Sequence, residues 1–415
     1  MTDVDADLEH RLPIDRDTGA DEVARTVRSW IGDHLPVRWR EAAELGGAAA
    51  IRQVRSREEY RAWYPVFGRS GMVVPTWPAE YGGLDVSPAT ARVIDRELSR
   101  YNLGRLNPLG LNLAAPALFA HGAEAQRLRF LPPIVRNAET WCQLFSEPGA
   151  GSDLAGLTTR AERDGGDWIV NGQKVWTSVA HCSDIGELLC RTDPGAPKHE
   201  GITAFLVDMD SPGVEVRPLR QMTGGAEFNE VFFTDVRIPD ARRLGPVNGG
   251  WKVGITTLMN ERATVGTDST IAAGDSLNIE WLTSLLDSLG LREDPVARRR
   301  LAELYVRQSA NGYLNAQSMR LLLSGRTPGP ESSVAKLMNT HNVTDAAEFV
   351  AELLGPRMIA DNGDSGTFAW SELLLSTPAL RLLGGTDEIM KNILAERVLG
   401  LPKEPAQNAK PGRNR

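Results

Sequence analysis

Two segments of this 415-residue chain carry residue types suited to holding a ligand. The first is a Gly-rich acidic turn, Ser146-Glu147-Pro148-Gly149-Ala150-Gly151-Ser152-Asp153, and the second a strand-like run from Trp168 to Ser178 that contains Asn171-Gly172-Gln173-Lys174-Val175-Trp176-Thr177-Ser178. Pro148 and its small neighbours let the backbone turn sharply and approach a flat, polar ligand without Cβ clashes. Ser146 and Ser152 offer hydroxyls and free amides, and Trp176 an aromatic plane. Together they read as a cofactor pocket, whereas the turn alone reads more simply as a loop between two strands. Ser333-Val334-Ala335-Lys336 satisfies the Ser-x-x-Lys pattern of serine acyl-enzymes. No Ser-Asp-Asn or Lys-Thr-Gly partner accompanies it, and a Ser and Lys three apart in a helical run read as a surface pair. His181, Cys182 and Asp184 lack the paired spacing of a zinc site, so no metal is expected. Arg298-Arg299-Arg300 reads as a solvated helix face.

In their order, the two segments resemble the acyl-CoA dehydrogenase family of flavoproteins. There a Thr/Ser-Glu-Pro-x-x-Gly-Ser-Asp segment and a downstream Asn-Gly-x-Lys-x-Trp-x-Thr/Ser segment embrace FAD. The resemblance runs from roughly Trp63 to Pro402 and takes in Pro78-Ala79-Glu80-Tyr81-Gly82-Gly83, Glu230 to Pro239 and Gly384-Gly385-Thr386-Asp387-Glu388-Ile389. It implies an α+β fold of the acyl-CoA dehydrogenase type, with an N-terminal helical domain, a middle β-barrel domain and a C-terminal four-helix bundle. It also implies α,β-desaturation of an acyl-CoA or carrier-bound acyl thioester, in which a carboxylate takes the α-proton and the flavin takes the β-hydrogen as hydride.

The family's commoner base is a Glu directly before the Gly-Thr of its C-terminal loop, but Gly384 stands there. Branches resembling isovaleryl- and long-chain acyl-CoA dehydrogenases carry the Glu on the first long helix of the last domain, before an Arg. In Asn260-Glu261-Arg262 that assigns the base to Glu261, against the plainer reading of a helix carboxylate neutralised by Arg262. The resemblance further implies Arg262 and Gly384 at the substrate, with backbone N–H near Gly384 polarising the thioester carbonyl. Phe145, Ser146, Gly151 and Ser152 would contact FAD on one side, and Trp176 and Ser178 on the other. Thr386 and Glu388 match residues near its nucleotide half, yet equally suit a helix start with Thr386 as N-cap. An Arg-x-x-Phe-Gly motif used to grip the pyrophosphate of a neighbouring subunit's FAD is missing, and Leu289 to Pro295 occupies its region. Three alternatives remain open: a partner subunit of a mixed tetramer, a flavin oxidase or oxygenase on the same fold, and, remotely, the Ser-x-x-Lys acyl-enzyme. An electron-transferring flavoprotein is the expected acceptor, and a homo- or hetero-tetramer or dimer the expected assembly.

Composition supports an ordinary globular enzyme. Hydrophobic residues make 41% and charged ones 24% of the chain, enough to bury a sizeable core. A net charge of −8 with scattered basic residues points to neither nucleic acid nor an anionic membrane. No window approaches a transmembrane span, and Met1 to Glu22 lacks the features of a leader. Cys142, Cys182 and Cys190 form no CxxC pair, which predicts free thiols and a cytoplasmic location. Helical spacing marks Glu22 to Leu35, Ser56 to Arg69, Ala89 to Tyr101 and Glu124 to Asn137. From Thr140 to about Val247 short runs rich in Val, Ile, Phe and Thr alternate with turn signals at 164–167, Asn171-Gly172 and 211–213. Helical periodicity returns from Trp251 to roughly Leu289, then over Pro295 to Leu323, Pro330 to Leu354 and Glu388 to Leu399. The expected domains are an acidic tail (1–20), helical (21–138), β (139–248) and helical (249–401) domains, and a polar tail (402–415).

Overall fold

A computed structural model describes residues 10–267, 279–323, 329–359 and 369–403. The chain forms two compact units, Met1–Arg220 with Ala226–Thr257, and Gln221–Gly225 with Leu258–Arg415. Of the expected tails, 1–9 and 404–415 lie outside the described residues. Residues 10–19 depart from the expected acidic tail. Leu12 and Ile14 are buried, and the Leu12 N–H donates to the Ser70 carbonyl, because two apolar side chains there find a hydrophobic seat.

The first unit opens with α1 (Ala20–His34), α2 (Val37–Val54), α3 (Arg57–Arg69), α4 (Pro88–Leu98), α5 (Ala115–His121) and α6 (Glu124–Arg136). Ser56 and Glu59 close a reciprocal capping box at the start of α3, and Ser87 caps α4 just before Pro88. Sequence periodicity predicts neither α2, which bends at Gly46 and Gly47, nor α5, which follows a stretch of π-helix over Gly110–Ala114.

Eight strands follow: β1 (Trp141–Leu144), β2 (Arg160–Asp164), β3 (Asp167–Ser178), β4 (Ile185–Arg191), β5 (Ile202–Asp208), β6 (Val214–Leu219), β7 (Phe228–Pro239) and β8 (Arg243–Leu244). They make one sheet in the order β6-β7-β3-β2-β4-β5-β8, with β1 parallel to β4. Trp168 on β3 and Phe205 on β5 meet edge to face at 5.4 Å between ring centroids. Three inter-strand steps separate those strands, about 14 Å in a flat sheet, so the sheet curls around the core that both rings enter. The 164–167 turn joins β2 to β3 as expected. Asn171-Gly172 does not turn the chain. Both residues lie within β3 at a register shift against β7, where Asn171 exchanges hydrogen bonds with Asp235. The extra residue lies on β7, where Thr234 and Asp235 stand opposite the single Asn171, and it becomes a bulge because pairing continues on either side of it.

Helix α7 (Gly250–Thr267) starts in this unit. Its Gly254 presents no side chain, which lets Leu189 approach within 3.0 Å and Phe145 within 3.7 Å of where a Cβ would stand. The second unit contains α8 (Ile279–Ser288), α9 (Pro295–Leu323), α10 (Ser332–Leu354), α11 (Ala369–Leu382) and α12 (Asp387–Ile393), the last continuing as π-helix to Val398. Leu285 and Leu286 from α8, Leu304 from α9, Phe349 and Val350 from α10, and Leu373 and Leu380 from α11 share one core. Four helices therefore close this bundle.

Candidate active site

The turn after β1 is built on a buried ion pair. Glu147 and Lys174, one in the turn and one on β3, are both buried, with Nζ 2.8 Å from Oε1. Lys174 also donates to the Phe145 carbonyl at 3.0 Å. Glu147 accepts from the Thr158 N–H, the Thr158 hydroxyl and the Thr159 N–H at 2.7 to 2.9 Å. Burial alone would raise the Glu147 pKa, but Lys174 and these donors outweigh it and hold the carboxyl down at about 2. Burial pulls the Lys174 ammonium below its ordinary value, and Glu147 opposes that pull. Glu147 and Ala150 exchange backbone hydrogen bonds across the turn, and the Val175 N–H donates to the Ser146 carbonyl at 2.9 Å. The two sequence segments are thus stitched together through side chains and backbone alike.

Phe145 is buried, Ser146 half-buried, and Gly151 and Ser152 exposed. Trp176 adopts φ +62° where β3 bulges against β7, and it is 62% exposed, edge-on to Phe228. Ser178, half-buried, ends the strand. The buried Asn229 on β7 holds that end by donating to the Thr177 carbonyl at 2.9 Å, and the Val179 N–H donates to the Glu227 carbonyl. An open aromatic face, two half-buried serines and a small-residue turn suit a flat ring with polar edges, which is the shape of an isoalloxazine. His181, Cys182 and Asp184 serve the local backbone instead of converging: His181 meets Asn229, the Cys182 thiol donates to the Val179 carbonyl, and Asp184 accepts from Thr140.

Glu187 on β4 is a feature that the sequence reading missed. It is buried, and Thr257 of α7 donates to it at 2.8 Å. Burial pushes its carboxyl up to about 8, against the lowering effect of Thr257, so it is neutral at pH 7. A lone Glu in Ile185-Gly186-Glu187-Leu188-Leu189-Cys190 is the signal that was available.

In the second unit Glu261 is partly buried on α7. The Arg262 side chain lies outside the described residues. Gly384 and Gly385 follow α11 with φ of +65° and +100°, a left-handed turn that glycine adopts at least cost. A Cβ on Gly385 would also stand 2.5 Å from Met390. Thr386 caps α12 by accepting from the Ile389 N–H, and Glu388 is exposed in the first turn. Their helix-start reading is therefore realised. Asp387 is buried and bound by Arg381 at 2.7 Å and His341 at 3.3 Å. Burial pushes its carboxyl up, but these two partners outweigh it and hold it below its ordinary value.

Ser333 and Lys336 are not the expected surface pair, since both are buried. Ser333, Lys336, Thr340 and Val343 share helical spacing and form the inner face of α10, a pattern that was legible in the sequence. Lys336 donates to the Gly385 carbonyl at 2.8 Å, and its charge feels Asp387 first and Glu261 and Glu388 more weakly. Arg298 pairs with Glu293 at 2.5 Å, and Arg300 stands over the Phe349 ring.

Known families match the chain in three consecutive stretches: the acyl-CoA dehydrogenase N-terminal domain over 21–138, the middle domain over 142–236 and the C-terminal domain over 248–399. This chain belongs to the acyl-CoA dehydrogenase family. Acyl-CoA dehydrogenase IpdE1 of Mycobacterium tuberculosis is 37% identical, with 92% of this chain and 98% of that protein covered. Acyl-CoA dehydrogenase FadE34 of the same organism is 41% identical over 88% of this chain, which spans half of FadE34's length. Among solved structures, the Tcur3481-Tcur3483 steroid ACAD has a TM-score of 0.73 at 28% identity, covering 93% of this chain and 98% of that one. The ChsE4-ChsE5 complex from Mycobacterium tuberculosis has 0.71 at 30%, covering 94% of this chain and 100% of that one. Members of this family bind FAD and oxidise acyl-CoA. Among the described residues, no helix is long and apolar enough to cross a membrane.

Proposed function

We propose that Glu261 is the base that removes the α-proton in an FAD-dependent α,β-dehydrogenation of an acyl-CoA. The observation that carries this reading is the occupancy of the loop position by Gly384, which has no carboxylate, while Lys336, bound to the adjoining Gly385, lies within the electrostatic reach of Glu261. A proton acceptor near that loop must then come from another element, and Glu261 supplies it. Phe145, Ser146, Gly151, Ser152, Trp176 and Ser178 would hold the isoalloxazine, and Thr386 and Glu388 would approach the nucleotide half. FAD, when bound, supplies the acceptor for the β-hydride. Backbone N–H at Gly384 would polarise the thioester carbonyl, a contribution of roughly 3 kcal/mol per donor. Arg262 would neighbour the substrate.

The substrate class we propose is a polycyclic, steroid-type acyl-CoA, carried over from the steroid ACAD named above. The assembly would be mixed, since both solved relatives are named as pairs of proteins. Tyr305, Val306, Tyr313 and Leu399, all well exposed on the second unit, offer apolar surface for a partner subunit. An electron-transferring flavoprotein would take the electrons onward.

Anaerobic mixing of the purified protein with straight-chain, branched and steroid-side-chain CoA thioesters, followed at about 450 nm where oxidised flavin absorbs, tests the reading. We expect bleaching by the polycyclic class. Glu261→Gln should keep its yellow FAD and reduce it about a thousandfold more slowly. Near-wild-type reduction by that variant would remove Glu261 from the mechanism.

A further inference from the structure

We propose that Lys336 is a positioning residue for the Gly384–Gly385 turn and, through that turn, for the thioester on which Glu261 acts. The inference rests on the function proposed above. Lys336 is wholly buried on the inner face of α10, and its Nζ stands 2.8 Å from the Gly385 carbonyl. Were charge neutralisation its task, the ammonium would sit against Asp387. It stays 4.0 Å from the nearer Asp387 oxygen, Oδ1, which has no hydrogen-bond partner. The other oxygen is taken by Arg381 and His341. The ammonium is thus directed at a backbone carbonyl in preference to an available carboxylate.

That carbonyl belongs to the least constrained stretch of this unit's candidate site. Two successive glycines with positive φ have many backbone alternatives, and each must be excluded if an amide of the turn is to point at a substrate oxygen. Three contacts do so: Lys336 fixes the Gly385 carbonyl, Met390 fills the space beside Gly385, and Thr386 caps α12. Only the first acts directly on a peptide group of the Gly-Gly pair, so its removal frees the turn while leaving the cap in place.

The test compares Lys336→Met with Lys336→Gln in the flavin-loaded protein, with anaerobic flavin reduction by the best substrate as readout. Methionine fills the space without a donor, whereas glutamine keeps an N–H without the charge. Lys336→Met should lower the limiting reduction rate about a hundredfold with KM and FAD content little changed, and Lys336→Gln should restore at least about tenfold of that loss. A wild-type rate in Lys336→Met, a rise in KM alone, or equal loss in both variants would overturn the assignment. If Lys336→Met yields no folded protein, Lys336→Met/Asp387→Asn, which leaves no buried acid without its lysine, carries the test with the same expectations. Failure of the double variant as well would make Lys336 a folding residue and also overturn the assignment. An inactive Glu261→Gln beside a fully active Lys336→Met defeats only the positioning role. Flavin reduction in Glu261→Gln defeats the underlying function.

Discussion

Each compact unit buries a lysine beside an acid, and the two pairs are put together differently. In the first unit Lys174 lies 2.8 Å from Glu147, whose remaining acceptor capacity is filled by Thr158 and Thr159. Both charges are fully engaged, and the product is a rigid bracket under the Ser146–Asp153 turn. In the second unit Lys336 stands 4.0 Å from Asp387 and makes its short bond to a backbone carbonyl, while Asp387 turns to Arg381 and His341. The comparison teaches that a buried lysine braces its acid when the acid answers it directly, and clamps a backbone carbonyl when the acid has other partners.

The strongest way to break this comparison is Lys174→Met, which strands Glu147 without its cation. A loss of about 3–5 kcal/mol is expected, together with loss of FAD, and denaturant unfolding with flavin content checks both. Stability within about 1 kcal/mol of wild type would show that Glu147 does not depend on Lys174. The sign with pH is fixed as well. Because the Glu147 carboxyl is held at about 2 when folded, below its ordinary 4.5, its contribution is present above 4.5 and is lost as pH falls toward 2.

Glu187 sharpens the comparison, as an acid with no lysine at all. Its carboxyl sits at about 8 in the folded chain against an ordinary 4.5, so below 4.5 both folded and unfolded chains hold the proton and nothing is gained or lost. As pH rises to about 8 only the unfolded chain releases it, and stability falls. Glu187→Gln should therefore match wild type near pH 4 and exceed it by about 4 kcal/mol near pH 8. Melting curves across that range decide it, and a pH-independent difference would mean that Glu187 is ionised when folded. The smallest effect is expected at Thr386→Ala, where the lost N-cap of α12 costs about 1 kcal/mol. Unfolding measurements should register that cost while Lys336 still holds the Gly385 carbonyl, leaving the reduction rate of the FAD-saturated variant within about threefold of wild type even if FAD binds more weakly. A much larger rate loss would make the cap, not the lysine, the clamp on the turn.

The sequence was most legible where a motif and a period coincide. The Ser146–Asp153 turn, the alternation of β3 and the spacing of α3, α6, α9 and α10 all appear in the residues themselves. Legibility failed where glycine or proline interrupts a packed element: α2 bends at Gly46-Gly47, and α11 contains Pro378. Packing carries α11 across Pro378, whereas at Gly46-Gly47 the backbone leaves helical geometry and α2 resumes beyond it. Asn171-Gly172 failed for the opposite reason, since a strong hairpin signal was absorbed as a bulge within a longer ladder. The candidate site was half legible. The residues proposed to hold FAD stand in quoted motifs, as do Glu147 and Lys174, although their pairing is not legible there; Glu187 and Lys336 act through burial, which one sequence reveals only as charges at inward-facing positions.

Trp176 carries a liability that follows from its backbone. A bulky aromatic residue held at φ +62° with its ring largely in water contributes little to the core and forces a dihedral that asparagine or glycine accepts more readily. The folded chain is therefore less stable than its own architecture permits, and the deficit sits at the residue we propose to lie against the flavin. Under selection for heat resistance alone, this tryptophan would be among the first residues replaced, and on the proposed flavin role the thermostable descendants would be pale.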